Sequence, residues 1–261
     1  MAGIVILIGG KPAVFASDQN LGQYGRAGHP EQAKDQVDTM TFLDTAHRNK
    51  HGNETNTFPW TGLFETSAAG TGGSSYDQVK DLFGNGTGNA TARVVSYYPE
   101  STAGGAPAAS PIPGVGFDAA RAFSFSESGG PGDVLEISAD IQQDGTADAL
   151  SLIVGTTVTG NYTSTSIDMG PSSTAGGRFY LHALNNLAVG GNTRWIFTVQ
   201  HASAADASFV TATGATATYG TGVTTGVVIT SSAQLRKFVR VVATRDASSG
   251  TFEFVVGAKR V

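Results

Sequence analysis

The sequence predicts a mainly β protein made of two sandwiches in succession, the first flanked by one short helix and the second antiparallel and Ig-like or jelly-roll-like. Three observations carry that expectation. Apolar runs are short, rich in Val, Ile, Phe and Thr, and separated by turn residues, with 35 glycines in 261 positions, the pattern of strands joined by turns. Helical periodicity is almost absent outside one stretch. Charge is split along the chain: residues 1–147 carry eight Lys and Arg against sixteen Asp and Glu, a net −8, and residues 148–261 carry eight against five, a net +3. That asymmetry divides the chain into a 1–147 domain and a 148–261 domain, with the boundary at the turn signal and charge change of Gly145–Leu150. At this length a real core forms without staples, and with no cysteine neither disulfides nor thiolate metal sites are available.

Taken in order, Ile4–Ile8 reads as a buried first strand; the run is too short for a membrane span and has no basic leader ahead of it, so cytoplasmic synthesis without membrane insertion is expected. Pro12–Ala16 continues or pairs with that strand, and Ser17–Gln36 is polar and irregular. Val37–Leu43 and Thr57–Phe64 are strands by their Val, Phe, Trp and Leu content. The linker Gly70–Ser74 leads to the one convincing helix, Tyr76–Phe83: Ser75 with Gln78 forms a capping box, and Gly84 suits a left-handed C-cap. Its narrow stripe of Tyr76, Val79, Leu82 and Phe83 is expected to pack on a sheet. Ala92–Tyr98 is a strand with Val94, Ser96 and Tyr98 on one face and Arg93, Val95 and Tyr97 on the other. Ser101–Pro113 is a loop. Phe117–Ser126 and Asp133–Gln142 are strands, the second with Leu135, Ile137, Ala139 and Ile141 on one face. Beyond the boundary, strands are expected at Leu150–Val154, Thr165–Met169, Phe179–Ala183, Trp195–Gln200, Ser208–Thr211, Val227–Thr230, Lys237–Thr244 and Thr251–Val256.

Between the strands Val37–Leu43 and Thr57–Phe64 lies Asp44–Asn56, with Asp44, His47, Arg48, Lys50, His51 and Glu54 and no large apolar side chain. Hairpins need about two to five residues, so an insertion of this length is functional or disordered. Without core-forming residues it has nothing to gain from its own domain, which makes it an arm directed at another chain.

Catalytic and cofactor chemistry find little support. His47 and His51 have the H-x-x-x-H spacing but sit in loop-like sequence without the embedded Glu of a zinc protease helix, so no metal is expected. The glycine clusters 70–73 and 84–88 lack phosphate-loop context, and no G-x-S-x-G elbow occurs. His182 and His201 lie in or beside strands, where structural histidines are the rule. Nothing assembles nucleophile, base and oxyanion donors, so no enzyme and no cofactor are expected. The sequons at Asn53, Asn85, Asn89 and Asn161 read as a by-product of Asn/Thr-rich loops. The basic residues Arg236, Lys237, Arg240, Arg245, Lys259 and Arg260 have only Phe238 nearby as an aromatic platform, which favours solvated strand ends over a nucleic-acid surface. A carbohydrate- or cell-surface-binding sandwich is the alternative, with Trp195, Tyr180 or Tyr219 as exposed stacking platforms.

Residues 1–147 resemble the tail tube (major tail) proteins of long-tailed bacteriophages. The likeness lies in the order of a strand D-T-M-T-F (Asp38–Phe42), a polar arm, a returning strand ending G-L-F (Gly62–Phe64), a short helix near Tyr76, and P-G-D-V-L-E-I-S (Pro131–Ser138) running into Gln142, Gln143, Asp144 and Gly145. The second half, with T-V-Q-H (Thr198–His201), Phe209 and K-F-V-R-V (Lys237–Val241), is similar to the outer sandwich some tube proteins carry. The resemblance implies two packed sheets flanked by a helix, stacked homo-hexameric rings, and an arm reaching the adjacent ring. It also implies tail initiator and terminator partners, tape measure protein and DNA in the lumen without specific binding, and a place in the virion tail. A duplicated tube fold, in which three chains imitate six, is disfavoured by the missing second helix.

Overall fold

A computed structural model describes residues 11–16, 19–20, 25–28, 30–38, 49–63, 93–101, 112–129, 135–145, 147–188, 194–205, 207–220, 226–246 and 250–261. Among these, every regular element is a strand and every pairing antiparallel. In chain order they are β1 (Lys11–Ala16), β2 (Gln19–Asn20), β3 (Gly25–Gly28), β4 (Glu31–Asp38), β5 (Asn49–Leu63), β6 (Arg93–Ser101), β7 (Ile112–Ser128), β8 (Glu136–Gln143) and β9 (Ala147–Val158). Then follow β10 (Tyr162–Thr163), β11 (Ile167–Asp168), β12 (Gly177–Ala188), β13 (Trp195–Ala202), β14 (Val210–Tyr219), β15 (Gly226–Ser231), β16 (Phe238–Arg245) and β17 (Gly250–Arg260). They form a twelve-stranded sheet, with β15-β12-β17-β9-β7-β6-β1-β2 as its main path and β8, β5, β4 and β3 branching from β7, and a five-stranded sheet of β10 and β11, β16, β13 and β14.

The strand β7 is the spine. Its first half pairs with β9 (Ile112↔Leu152 to Phe117↔Ala147) and its second half with β8 (Ala120↔Gln143 to Ser128↔Glu136). The two partners lie end to end along the same side, and Asp144 N donates to Ala119 O at 2.8 Å where they meet. The turn signal at Gly145 therefore produces a bulge in one long antiparallel hairpin, and the hydrogen-bond ladder runs through residue 147.

Apolar side chains gather in three clusters. One holds Val14, Phe58, Trp60, Val95, Phe117, Ile137 and Ile141. A second lies between the sheet β9-β17-β12-β15 and the five-stranded sheet. Its centre is aromatic: Phe197 meets Phe254 at 4.7 Å and Phe252 at 5.1 Å, and Trp195 meets Phe252 at 5.5 Å, each pair adding about 0.5–1.5 kcal/mol beyond area burial. The third joins the halves. Val94 and Tyr98 of β6 and Ile112 of β7 pack on Leu150, Leu152, Tyr180 and Val255, so β12 and β17 are covered on both faces. Along β12, Phe179, Leu181 and Ala183 face one core while Tyr180 and His182 face the other. The expected two faces of the 93–98 strand are observed, and both are buried to a large degree.

Some expectations are corrected. The segment 17–36, expected to be irregular, contains β3 and most of β4, and the strand expected at 37–43 is described only to Asp38, as the end of β4. Residues 49–56 of the arm, expected to be an insertion between strands, belong to β5, which pairs with β4 from Glu31↔Thr57 to Asp38↔Asn49. The two strands are held by their mutual backbone ladder, and the sequence of 31–38 and 49–56 shows no apolar alternation from which strands could be read. Leu135, expected on the buried face, is 43% exposed, because it precedes the first β8 residue paired with β7.

Candidate functional site

The candidate site is the surface of the sheet β3-β5-β8-β7, beyond which β5 continues as a ribbon with β4. Its core face is sealed by the protein's own side chains, in cross-strand rows Phe58–Ile141–Ala122 and Trp60–Ala139–Phe125. The opposite face carries rows Thr57–Gln142–Arg121, Pro59–Asp140–Ser124 and Thr61–Ser138–Ser126, then Glu136 beside Ser128. Strand alternation puts these polar residues outward because the intervening ones fill the core. They bind one another: Ser124 Oγ donates to Asp140 Oδ2 at 2.8 Å, and Thr61 Oγ1 lies 3.1 Å from Ser138 Oγ. The one cation in these rows, Arg121, is ion-paired to Asp144 at 2.6 Å. What remains is a hydroxyl- and carboxylate-bearing face.

Both outer edges of this sheet are unpaired among the described residues. The edge strand β3 pairs only with β5, as does β4 beyond it, and β7 beyond Ala120 pairs only with β8; β6 is described from Arg93, which pairs with Ala120. Free edges are templates for further strands unless blocked.

A second polar assembly stabilises the junction of the two halves. Asp148 of β9, whose side chain is wholly buried, accepts from Tyr180 Oη at 2.8 Å, Lys259 Nζ at 2.6 Å and Arg178 Nη1 at 3.0 Å, and Arg178 also binds Asp118 of β7. Arg178, Lys259, Asp148 and Asp118 thus lie across four adjacent strands, β12, β17, β9 and β7. Burial, reinforced by Asp148, pushes the Tyr180 hydroxyl well above its ordinary pKa, so it stays a donor. Next to it, His182 Nε2 lies 2.8 Å from Ser96 Oγ. This arrangement is structural.

Of the arm residues, Lys50, His51 and Glu54 lie on β5, opposite Val37, Gln36 and Lys34. Asp44, His47 and Arg48, and the helix residues Tyr76, Val79, Leu82 and Phe83, lie outside the described residues. Among the described residues no three or more His, Cys, Asp or Glu converge as metal ligands. The stacking platforms of the carbohydrate-binding alternative are overturned: Trp195 and Tyr180 are 0% and Tyr219 is 3% exposed, because strand alternation turns their rings into the cores. The basic residues are engaged more than solvated strand ends would be. Lys237 pairs with Asp168 at 3.0 Å, Arg240 stacks 4.1 Å above Phe209 and donates to Gln200, and Arg260 donates to the carbonyls of Arg236 and Lys237. Sequence reasoning missed β4 and the junction cluster, whose only signal was polar residues alternating in β12.

His201 Nδ1 accepts from Arg236 N at 3.0 Å. Burial, then the Arg236 charge, holds its pKa below the ordinary histidine value. With the folded pKa depressed, the unfolded chain takes up the proton first, so stability is constant above about pH 6.5 and falls as pH drops from there towards the folded value. Melting temperatures at pH 7 and pH 5 are expected to differ less in His201→Gln than in the parent, and an unchanged gap excludes His201 as a source of acid sensitivity.

No family model matches this chain, and no curated protein does. Solved structures show distant likenesses. A chain of the virion of a native gene transfer agent particle aligns with TM-score 0.38 and 11% identity over 53% of this chain and 95% of its own. A chain from the tail of an empty gene transfer agent particle with C6 symmetry aligns with TM-score 0.35 and 10% identity over 48% and 81%. The SPP1 Dit protein, described as a hub of the adsorption apparatus of phages infecting Gram-positive hosts, aligns with TM-score 0.32 and 10% identity over 94% and 98%. At these scores the likenesses carry neither a family nor an activity to this chain.

Proposed function

We propose that this protein is a structural virion protein that polymerises as stacked hexameric rings into a phage tail tube, the conduit for DNA ejection, with residues 1–147 forming the tube wall and 148–261 an outer sandwich. The observation that carries the reading is the sheet β3-β5-β8-β7, sealed on one face, acidic and hydroxylated on the other, with an edge at each end that is unpaired among the described residues. Its four strands alternate in direction, so β3 and β7 run opposite ways, and copies set edge to edge in a circle keep antiparallel pairing throughout. A head-to-tail contact of this kind gives a ring when its rotation closes and an open filament when it does not. A conduit for a polyanion also works best without attractive cations, since Lys and Arg contacts to phosphate slow sliding. The face described has Asp140 and Glu136, and its one Arg is neutralised.

The segment 44–56 is the arm to the adjacent ring, and its residues 49–56 lie on β5 beside β4. Exposed ion pairs contribute about 0–1 kcal/mol each, so ring stacking rests on many repeated contacts. Tail initiator, terminator and tape measure proteins are the other partners.

The test is electron microscopy and sizing of the purified chain with and without tail initiator. Rings and tubes are expected; monodisperse monomers under every condition, initiator included, overturn the proposal. Replacing 39–48 by Asn-Gly, a turn suited to a two-residue hairpin, is expected to leave folded β-rich protein that forms no stacks. Tubes of normal yield remove the arm from the account.

A further inference from the structure

We infer that the outward face of the five-stranded sheet is a docking surface for an acidic polysaccharide, with Arg240 taking a uronate carboxylate. The inference stands on the single chain and needs no ring. Register lays two cross-strand rows on that face, Arg240–Gln200–Thr211 and Thr163–Val242–Thr198–Thr216. The neighbours in sequence, Val239, Val241 and Val199, fill the core, so alternation turns the rows away from it. Thr163, Thr211 and Thr216 are exposed, and Thr198, Gln200 and Arg240 are half-buried. The two rows hold hydroxyls, one amide and one cation but no carboxylate, the reverse of the face that carries Asp140 and Glu136.

Arg240 is held ready for an anion. Its guanidinium lies 4.1 Å from the centre of the Phe209 ring, and its Nε donates to Gln200 Oε1 at 2.9 Å. Those two contacts fix the plane of the guanidinium. Arg121, Arg178, Arg194, Lys237 and Lys259 each meet an aspartate, whereas among the described residues no carboxylate pairs with Arg240. An ordered guanidinium has already lost most of the rotamer freedom that binding would cost it, and its terminal nitrogens suit a planar acid in a two-pronged contact.

The chemistry selects the occupant. A single-stranded nucleic acid needs bare aromatic faces for its bases and several cations for its phosphates. Here Arg240 covers a face of Phe209, Lys237 stands 5.2 Å from the centre of Phe238, and Arg240 is the one cation of the two rows. Neutral sugars are held largely by stacking, and the rings of Trp195 and Tyr219 are inside the core. A polymer of hydroxyls with a carboxylate fits what is present: Thr198, Thr211 and Thr216 bond its hydroxyls, and Arg240 takes the acid.

The experiment uses the full chain, labelled with a fluorophore, on an array of galacturonate, glucuronate and mannuronate oligosaccharides beside their carboxyl-reduced forms. Titration calorimetry follows on the strongest ligand. At least one acid is expected to bind and its reduced form to lose binding. Arg240→Gln is expected to stay folded, with a cooperative melt, and to bind at least about tenfold more weakly. Thr198→Val, which removes one hydroxyl and keeps the shape, should weaken binding by about threefold, and Arg245→Gln, a cation outside the two rows, should leave it unchanged. Silence of all three acids, equal binding of the reduced forms, or parental affinity in Arg240→Gln overturns the inference. Tighter binding of polyphosphate than of every oligouronate also overturns it, since the face would then be a general anion patch. Tube formation is read separately by microscopy, so none of these outcomes decides it.

Discussion

Asp148→Asn is expected to lower unfolding stability by about 3–5 kcal/mol, the cost of removing one partner from a buried ion pair. The carboxylate is shielded from water on β9 and neutralises two cations while accepting from Tyr180. Once it is neutral, Lys259, 35% exposed along its side chain, can turn to solvent, but Arg178, at 17%, is held inside with Asp118 alone. The loss should therefore fall mainly on Arg178. Lys259→Met is expected to cost less, because Arg178 and Tyr180 still face Asp148, and the double variant should lose less than the sum of the two singles. Urea unfolding of the four proteins measures this directly. Asp148→Asn with a parental midpoint would show that the ladder across β12, β17, β9 and β7 does not hold the halves together.

Gly257→Ala should destabilise by about 1–3 kcal/mol, although it adds a single methyl and improves strand propensity. A Cβ at 257 would stand 1.9 Å from Tyr98 Oη and 3.1 Å from Tyr98 Cζ. The ring has no room to retreat, since a Cβ on Gly114 would also lie 2.4 Å from its Cδ1. Tyr98 is thus clamped between glycines on β7 and β17. Tyr98→Phe in the Gly257→Ala background removes the worst contact, and thermal melts are expected to show partial recovery. Additive losses in the double variant would mean that the methyl is accommodated by backbone movement and not by the Tyr98 ring.

Sequence and structure agree where burial is one-sided. Trp195, Phe197 and Val199 alternate with Ile196, Thr198 and Gln200, and the first set is buried; a core on one side writes a period of two that any reader can see. They diverge where burial is two-sided or absent. On the back face of β12, His182 is buried against Ser96 and Tyr180 against Asp148; partners from distant strands satisfy them, and no local pattern names those partners. The ribbon β4–β5 read as loop because residues 31–38 and 49–56 carry no apolar alternation.

The residues by themselves determined the β class, the lack of a disulfide framework, the polarity of the arm and the opposite charge of the two halves, since these depend only on composition and on neighbours in the chain. Only the tertiary structure decided that β7 carries both halves as one spine, that Asp148 meets Lys259 across 111 positions, and that Phe123 is exposed at a β-bulge of β7. Each of these rests on cross-strand register, and register is set by pairings between distant segments that no local pattern encodes.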